Sequence, residues 1–186
     1  MRPFNLCAMA LLLCVAAATD THAGANLGMR GVGGRLSFVN PQDIDGTIGF
    51  DLIADFGTLR PQLALEATLD YWSSEEDRGS VSNDVRDIAL GARLKHTFNV
   101  TNARVRPYVA GGLALHFIRT EVPAMLIGGV PIPGTDDSDT KLGLDLAGGV
   151  GYKTSPNLFV VGELRFRLVS DVPQAVLAGG VVYWFN

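Results

Sequence analysis

Apolar and polar residues alternate along most of the chain from about residue 30 onward, in one segment after another. The segment 47–56 is the clearest case, with Ile48, Phe50 and Leu52 at one set of alternate positions and Asp51 and Asp55 at the other. A period of two residues is typical of a β-strand that is apolar on one face only. The alternation predicts eight strands, near residues 30–39, 47–56, 62–72, 85–98, 105–119, 141–152, 158–169 and 176–186.

The links between these predicted strands alternate between short and long. Short turns lie at 57–60, 99–104 and 154–157, and longer or more polar links lie at 40–46, 73–84, 120–140 and 170–174. Outer-membrane barrels have short periplasmic turns and longer extracellular loops. We therefore predict an all-β fold, an eight-stranded antiparallel up-and-down transmembrane β-barrel with both termini on the periplasmic side.

The apolar positions of the predicted strands are almost free of charge, which favours a lipid-facing belt, since the outer face of a membrane barrel is apolar and its interior polar. This predicted belt comprises Leu36, Phe38, Ile48, Phe50, Leu52, Leu63, Leu65, Leu90, Leu113, Leu115, Leu144, Leu146, Leu164, Phe166, Val181 and Tyr183. A soluble periplasmic barrel of the lipocalin type would bury the same face, and alternation alone leaves both arrangements open.

The opposite positions hold acids and bases in balance, which predicts a lumen filled by ion pairs rather than a charged pore. The predicted lumen ionic network comprises Arg35, Asp51, Asp55, Glu66, Asp70, Arg93, Arg106, His116, Asp145, Glu163, Arg165 and Arg167. Lys95 and Lys141 are further bases on this face.

The first 23 residues differ from the rest. Arg2 precedes an apolar run at 8–18, and small residues at 21 and 23 suit cleavage, which together are typical of a secretory signal peptide. The run is too short for a transmembrane helix, which needs about 20 residues. We expect residues 24–186 to form one outer-membrane barrel domain, and both cysteines, Cys7 and Cys14, to leave with the signal.

Charge and composition argue against several kinds of function. The net charge is −4, so there is no basic excess that would indicate a nucleic-acid partner. Asp136, Asp137 and Asp139 could offer oxygens to Ca²⁺, but they lack the downstream bidentate Glu of a calcium loop. We interpret them, like 75–77, as part of a solvated loop, and we expect no metal and no cofactor.

Short motifs add a family resemblance. Residues 107–112 read PYVAGG, 148–152 GGVGY, 163–166 ELRF and 180–185 GVVYWF. They resemble, in order and spacing, motifs of the small outer-membrane β-barrel family, the OmpA/OmpX-like domain, over about residues 27–186. The resemblance implies a location in the outer membrane, among its lipid and lipopolysaccharide. It also implies insertion by the outer-membrane assembly machinery through a C-terminal aromatic signal, here Tyr183 and Phe185, which Asn186 follows.

Two further features bear on function. His116 is the candidate base of a lipid hydrolase, but barrel lipid deacylases carry a Ser two residues later, where this chain has Ile118; a packed lumen His is the other interpretation. The segment 122–133 (VPAMLIGGVPIP) is apolar although it falls in a predicted extracellular loop. It could be a lid over the barrel mouth, a patch that contacts lipid or a partner, a gate for hydrophobic solutes, or a segment packed on the strand ends.

We expect a monomeric, non-enzymatic outer-membrane barrel with a structural or cell-surface interaction role. Two alternatives remain open. One is a narrow channel or binding site for small hydrophobic solutes, as in OmpW-like barrels, with such a molecule or a surface partner meeting loop 120–140. The other is a lipid-modifying barrel enzyme.

Overall fold

The computed structural model describes residues 25–42, 45–78, 81–127, 130–170 and 172–185, apart from the side chains of 76–83 and 125–132. The predicted signal peptide at 1–23 and the final Asn186 lie outside the described residues. The described strands are β1 (Asn26–Pro41), β2 (Thr47–Arg60), β3 (Leu63–Arg78), β4 (Val81–Thr97), β5 (Val105–Val122), β6 (Met125–Ile127), β7 (Val130–Ile132), β8 (Thr135–Lys153), β9 (Leu158–Val169) and β10 (Gln174–Trp184). In this part of the chain, no helix has the length and apolar character needed to cross a membrane.

Eight of the strands close into an antiparallel barrel in the ring order β1–β10–β9–β8–β5–β4–β3–β2. The ring closes where β1 pairs with β10, from Gly31 opposite Trp184 to Pro41 opposite Gln174. The predicted eight-stranded up-and-down fold is therefore confirmed. Closure gives each strand a hydrogen-bonding neighbour on both sides, which a strand surrounded by lipid requires. The remaining strands, β6 and β7, pair with each other as a short hairpin.

The two ends of the barrel differ. At one end, which we call the turn end, short connections join β2 to β3, β4 to β5 and β8 to β9. At the other, the loop end, β3 pairs with β2 as far as Trp72 but with β4 as far as Arg78. Likewise, β8 pairs with β9 from Gly143 onward but with β5 from Thr135. A sheet in the order β3–β4–β5–β8 therefore extends past the closed barrel, and we call residues 73–78, 81–86, 118–122 and 135–142 the projecting sheet.

The projecting sheet corrects the predicted loops at 73–84 and 120–140. Most of these residues are strand, so 75–77 lie in β3 and Asp136, Asp137 and Asp139 lie in β8 rather than in solvated loops. In β8 every residue from Thr135 to Thr140 is exposed. Because both faces of this strand end are polar, hydrophobic alternation stops before the strand does, and backbone pairing with β5 is what continues it.

Within the barrel, apolar and ionic side chains occupy opposite faces. The apolar residues of the predicted belt are exposed, Ile48 by 75% and Leu144 by 40%, while Leu63, Leu65 and Leu115 are half-buried. Arg35, Asp51 and Arg165 are buried on the other face. A contiguous exposed apolar surface of this kind indicates contact with lipid or a partner, and a band around a closed barrel with a polar interior is the arrangement of a membrane barrel.

Candidate functional site

Arg165 is the centre of a buried ionic network in the lumen. From β9 its Nη1 lies 2.7 Å from Asp70 Oδ1 of β3, and its Nη2 lies 3.0 Å from Asp51 Oδ2 of β2. In the ring order β9 and β3 are four strands apart, so the contact with Asp70 spans the lumen. Separating such a pair would leave two charges uncompensated in a low-dielectric interior, so the brace fixes opposite walls relative to each other.

Glu163 is the most heavily coordinated carboxylate of this lumen network. Its Oε1 lies 2.7 Å from Arg35 Nη1, 2.8 Å from Arg93 Nη1 and 3.0 Å from Arg165 Nη2. The Tyr108 hydroxyl donates to Oε2 at 2.8 Å. Donors from β1, β4, β5 and β9 thus converge on one carboxylate, which compensates its removal from water.

The network continues toward both ends of the barrel. Arg167 lies 2.7 Å from Asp70 and 3.3 Å from Asp145, and Arg93 lies 2.8 Å from Glu66. Lys95 contacts Glu66 and lies 3.8 Å from Asp55. All the acids and bases predicted for the network, except Arg106, are buried. The structure therefore brings together side chains that the alternation could only place on a common face.

Arg106 is the exception, and its assignment to the network is wrong. It has the inward position along β5 that Tyr108 and Ala110 share, but it is exposed. Its guanidinium lies 4.8 Å from the centroid of the Phe159 ring. As the second residue of β5 it lies at the turn-end rim, where water can solvate it. Lys95, which was predicted to face the lumen but not to join the network, contacts the carboxylates there.

His116 belongs to a separate hydrogen-bonded cluster. It is fully buried, and its Nδ1 lies 2.8 Å from Asp87 Oδ2. The same oxygen accepts hydrogen bonds from Trp72 Nε1 and Gln174 Nε2, both at 3.2 Å. Ile118, two positions along the strand, is buried among apolar side chains. The geometry is that of a histidine held in the lumen by a carboxylate.

Packed side chains close the lumen on both sides of the network. At the loop end an apolar plug consists of Val39, Trp72, Val85, Ile118, Val169 and Val176, with Val172 packed against it. At the turn end the rings of Phe159 and Trp184 lie 6.1 Å apart, and the Lys95 ammonium lies 5.7 Å from the Trp184 ring centroid. Neither layer was predicted from the sequence. Their signal was available, because Val39, Val85 and Val176 are apolar residues at inward positions near strand ends.

On the outer face of the projecting sheet, the residues change from apolar to charged between one row of paired positions and the next. The last apolar row contains Tyr71, Ile88 and Phe117, which lie opposite one another. The next outward positions form an arginine row, Ser73, Arg86, Arg119 and Ser138, and the following ones an acidic row, Glu75, Asp84, Glu121 and Asp136. This abrupt change is what a strand shows where it leaves hydrocarbon for water.

The two rows are linked by ion pairs. Arg119 lies 2.6 Å from Asp136 and 2.9 Å from Glu121, and Arg86 lies 2.5 Å from Asp84. The hydrogen bond from Arg119 holds the pKa of Asp136 below its usual value of 3.8. The side chains of Arg86 and Arg119 are 47% and 52% exposed, so both guanidinium groups remain accessible from outside the barrel.

An open groove of about 430 Å³ lies beside the ion pairs, at the base of the β6–β7 hairpin. It is lined by Asp84, Arg119, Glu121, Val122, Pro123, Ala124, Gly134, Thr135 and Asp136. Within the described residues, no group of three or more His, Cys, Asp or Glu side chains is arranged to hold a metal ion.

Comparison with known proteins agrees with this geometry. A family profile described as "Outer membrane protein beta-barrel domain" matches residues 6–185. Neisserial surface protein A is similar in structure, with a TM-score of 0.62, 19% identity and coverage of 88% of this chain and 100% of that one. Ail of Yersinia pestis has a TM-score of 0.56 at 14% identity, with coverage of 88% of this chain and 100% of that one. The N-terminal barrel of Pseudomonas aeruginosa OprF has a TM-score of 0.54 at 16% identity, with coverage of 85% of this chain and 99% of that one. No curated protein matches the chain by sequence. At these identities the structural likeness concerns the fold.

Proposed function

The chain belongs to the outer membrane protein β-barrel family, and from that premise we propose that it is a sealed, non-enzymatic barrel whose function lies in the surface it presents outside the cell. Barrels of the outer membrane have short turns in the periplasm and longer loops outside, so the projecting sheet would face the exterior. The observation that carries the proposal is a lumen packed with ion pairs and apolar side chains beneath strands that extend well past the barrel.

A packed lumen distinguishes the proposed sealed barrel from a channel for small hydrophobic solutes. A solute would have to displace the apolar plug and then cross the paired charges around Glu163. Single-channel recording in a planar bilayer tests this, and we expect no conductance steps from the wild-type barrel. Trp72→Ala, which removes the largest side chain of the plug, is the positive control and is expected to leak. Regular steps from the wild type, or saturable uptake of a hydrophobic solute into vesicles, would contradict the proposal.

Absence of enzymatic activity is also part of the proposal, and the environment of His116 supports it. His116 and Asp87 are fully buried in the lumen, so a lipid in the membrane could not reach the imidazole. We expect purified barrel to leave lipopolysaccharide and phospholipid unchanged by mass spectrometry. Conversion by the wild type that disappears in His116→Ala would refute the proposal.

Lipopolysaccharide in the surrounding leaflet is the partner that the arginine row favours. Arg86 and Arg119 lie one row beyond Ile88 and Phe117, and we expect lipid headgroups to begin at the height where the apolar belt ends. Guanidinium groups bind phosphate through paired hydrogen bonds, and a complex of Ail with the heparin analogue sucrose octasulfate shows a polyanion on a barrel of this fold. We expect Arg86→Gln with Arg119→Gln to weaken binding of lipopolysaccharide to the barrel in nanodiscs. Arg106→Gln, at the opposite end, is the matched control; equal binding by all variants would contradict this assignment.

Two exposed aromatic side chains near the end of the chain, Tyr183 and Phe185, support the proposal that the outer-membrane assembly machinery recognises this barrel. Their rings are exposed on the outer face, with centroids 5.9 Å apart. We expect Phe185→Ala to slow assembly in cells, measured as the fraction of heat-modifiable barrel after a pulse of synthesis. Leu177→Ala removes an outward side chain from the same strand and controls for lost lipid contact. Equal assembly of both variants would argue against a signal at Phe185.

A further inference from the structure

Charged residues are distributed unevenly between the two ends of the barrel. The described residues of the turn end, at 25–31, 57–62, 98–106, 152–158 and 183–185, include five bases and no acid. The bases are Arg30, Arg60, Arg104, Arg106 and Lys153. In the projecting sheet at the loop end, by contrast, the sequence has eight acids and four bases. The turn end is therefore the cationic end of the barrel.

The turn-end bases also differ from the others in their contacts. In the lumen and the projecting sheet, each arginine or lysine whose side chain is described contacts an acid, as Arg35 and Arg119 do. None of the five turn-end bases has such a contact within the described part of the chain. Arg106 stacks on the Phe159 ring, and Arg30 donates to the Asn26 side chain. The remaining three cations carry charge that the described residues do not neutralise, and such charge attracts anions from the surroundings.

Two of these three cations, Arg104 and Lys153, lie side by side. The Lys153 backbone N–H donates to the Arg104 carbonyl oxygen at 2.8 Å, next to the pair of Val105 with Tyr152. Residues opposite one another on adjacent antiparallel strands have Cβ atoms about 4.5–5.5 Å apart. Side chains as long as those of arginine and lysine can therefore reach one anion together, and phosphate is an anion that both bind well.

The cationic pair lies at the edge of the apolar belt. Tyr152, which precedes Lys153, is 45% exposed on the outer face, and nearby Phe98 is 44% exposed. Aromatic side chains of this kind mark the height at which hydrocarbon ends and the headgroup layer begins. Arg104 and Lys153 should therefore lie level with lipid phosphates.

The tips of the short turns are uncharged. Their sequences are GTL at 57–59, NVTNA at 99–103 and TSPN at 154–157. A polymer lying below the membrane would meet these tips first, whereas a lipid beside the barrel meets the strand ends. Cations at the strand ends and neutral residues at the tips therefore favour a lipid over a polymer.

From these observations we propose that Arg104 and Lys153 together bind the phosphate of an anionic phospholipid in the leaflet that surrounds the turn end. Basic pockets at the membrane surface are sites at which anionic headgroups bind. In the orientation described above, this leaflet is the periplasmic one. The inference goes beyond the proposed function, because it concerns the opposite end of the barrel and requires neither lipopolysaccharide nor a surface partner.

Fluorescence quenching by brominated lipid tests the proposal. Bimane on Val150→Cys, an outward residue three positions before Lys153, reports which lipid surrounds the turn end. Barrels refolded from residue 24 are placed in phosphatidylcholine vesicles that contain a minor fraction of phosphatidylglycerol. In one sample the phosphatidylglycerol carries bromine on its acyl chains, and in the other an equal fraction of the phosphatidylcholine does. We expect the anionic lipid to quench about threefold more than the zwitterionic lipid, whereas random contact would give equal quenching.

Variants with matched charge assign the preference to the pair. Arg104→Gln with Lys153→Gln should lower the quenching ratio to about one, because both cations that hold the phosphate are removed. Arg104→Lys with Lys153→Arg retains both charges and should retain the preference. Arg30→Gln with Arg106→Gln removes the same charge from the same end, at side chains already engaged within the barrel, and should resemble the wild type. Heat-modifiability on a gel verifies that each variant is folded.

Two further measurements identify the source of the anion. Inorganic phosphate should lower the preference no more than sodium chloride does at equal ionic strength, because both then act only by screening. A stronger effect of phosphate would mean that the pair selects the free ion. Wild-type binding to isolated peptidoglycan that the glutamine pair abolishes, together with a quenching ratio of one, would assign the pair to a polymer.

Either of those results overturns the proposal. So does equal quenching by the two lipids in the wild type, a preference that survives Arg104→Gln with Lys153→Gln, or an equal loss in Arg30→Gln with Arg106→Gln. Both leaflets of the vesicle have the same composition, so the result does not depend on orientation. Conductance is not measured either, so failure here is distinct from failure of the proposed function.

Discussion

Arginine–carboxylate pairs occur in two regions of this molecule, inside the barrel and on the outer face of the projecting sheet. Arg165 lies 2.7 Å from Asp70 with side chains 0% and 2% exposed, and Arg119 lies 2.6 Å from Asp136 with side chains 52% and 56% exposed. The distances are alike, so only access to water distinguishes the pairs. An exposed ion that loses its partner is rehydrated, whereas a buried one is not. The lumen pairs should therefore hold the barrel together, while the sheet pairs only position side chains.

Removing the central lumen cation should have the largest effect. Arg165→Met removes the cation that contacts Asp51, Asp70 and Glu163 together, and we expect a loss of about 3–5 kcal/mol in the free energy of unfolding. Urea titration of the barrel in lipid vesicles, followed by the fluorescence of the lumen residues Trp72 and Trp184, measures it. A loss below about 1 kcal/mol, the range of exposed pairs, would erase the distinction between the two regions.

Placing a charge on the outer face tests where lipid ends and water begins. Leu144→Arg puts a guanidinium in the apolar belt and should cost about 2–4 kcal/mol. Ser138→Arg makes the same addition to an exposed outward position of the same strand, in the arginine row, and should be nearly neutral. The same urea titration compares them. Equal costs would mean that the two positions share one environment.

Two neighbouring glycines provide a subtler comparison between the inside and the outside of the barrel wall. A Cβ on Gly149 would lie 2.6 Å from the Gly162 carbonyl oxygen and 2.6 Å from the Tyr108 ring, whereas a Cβ on Gly148 would meet nothing within 4 Å. We expect Gly149→Ala to cost about 1–3 kcal/mol through overpacking, and Gly148→Ala to be tolerated. Urea midpoints report both, and an equally mild Gly149→Ala would show that the lumen is loosely packed.

The smallest effect is expected at the exposed pair. Arg119→Gln should leave the urea midpoint unchanged, because water replaces the lost partner. Since the pKa of Asp136 is lowered in the folded protein, its contribution is present above 3.8 and is lost only as the pH falls below that value. Amide protection at the end of β8, measured against the intrinsic exchange rate at each pH, should therefore fall below pH 3.8 in the wild type but not in Asp136→Asn. A loss of protection already at neutral pH in the wild type would contradict this expectation.

Alternation predicted the barrel well because lipid and lumen impose opposite chemistry on successive residues. It located β9 at 158–169 with the same bounds as the structure. It failed at the loop-end extensions, where Asp136, Asp137 and Ser138 follow one another with water on both faces and no period remains. It also could not determine depth, so Arg106 and Lys95 looked alike in sequence although only Lys95 contacts buried carboxylates.

The ion-pair partners within the lumen could not be predicted from the sequence, for a different reason. Arg165 and Asp70 are separated by 95 positions along the chain, and their contact follows from ring closure and register. Several arginines and carboxylates share the inward face, and their pairing depends on which residues lie at the same height. The alternation identifies the members of such a set, whereas only the closed ring determines the pairs.

Consecutive residues of one barrel strand face lipid and a sealed lumen in turn. Cysteine replacement of outward Leu146 and inward Ala147, each labelled with bimane in vesicles of acyl-brominated lipid, tests it directly. The chain has no cysteine after residue 14, so each label is unique in a barrel refolded from residue 24. We expect strong quenching at 146 and little at 147. Equal quenching at both positions, or stronger quenching at 147, would contradict it.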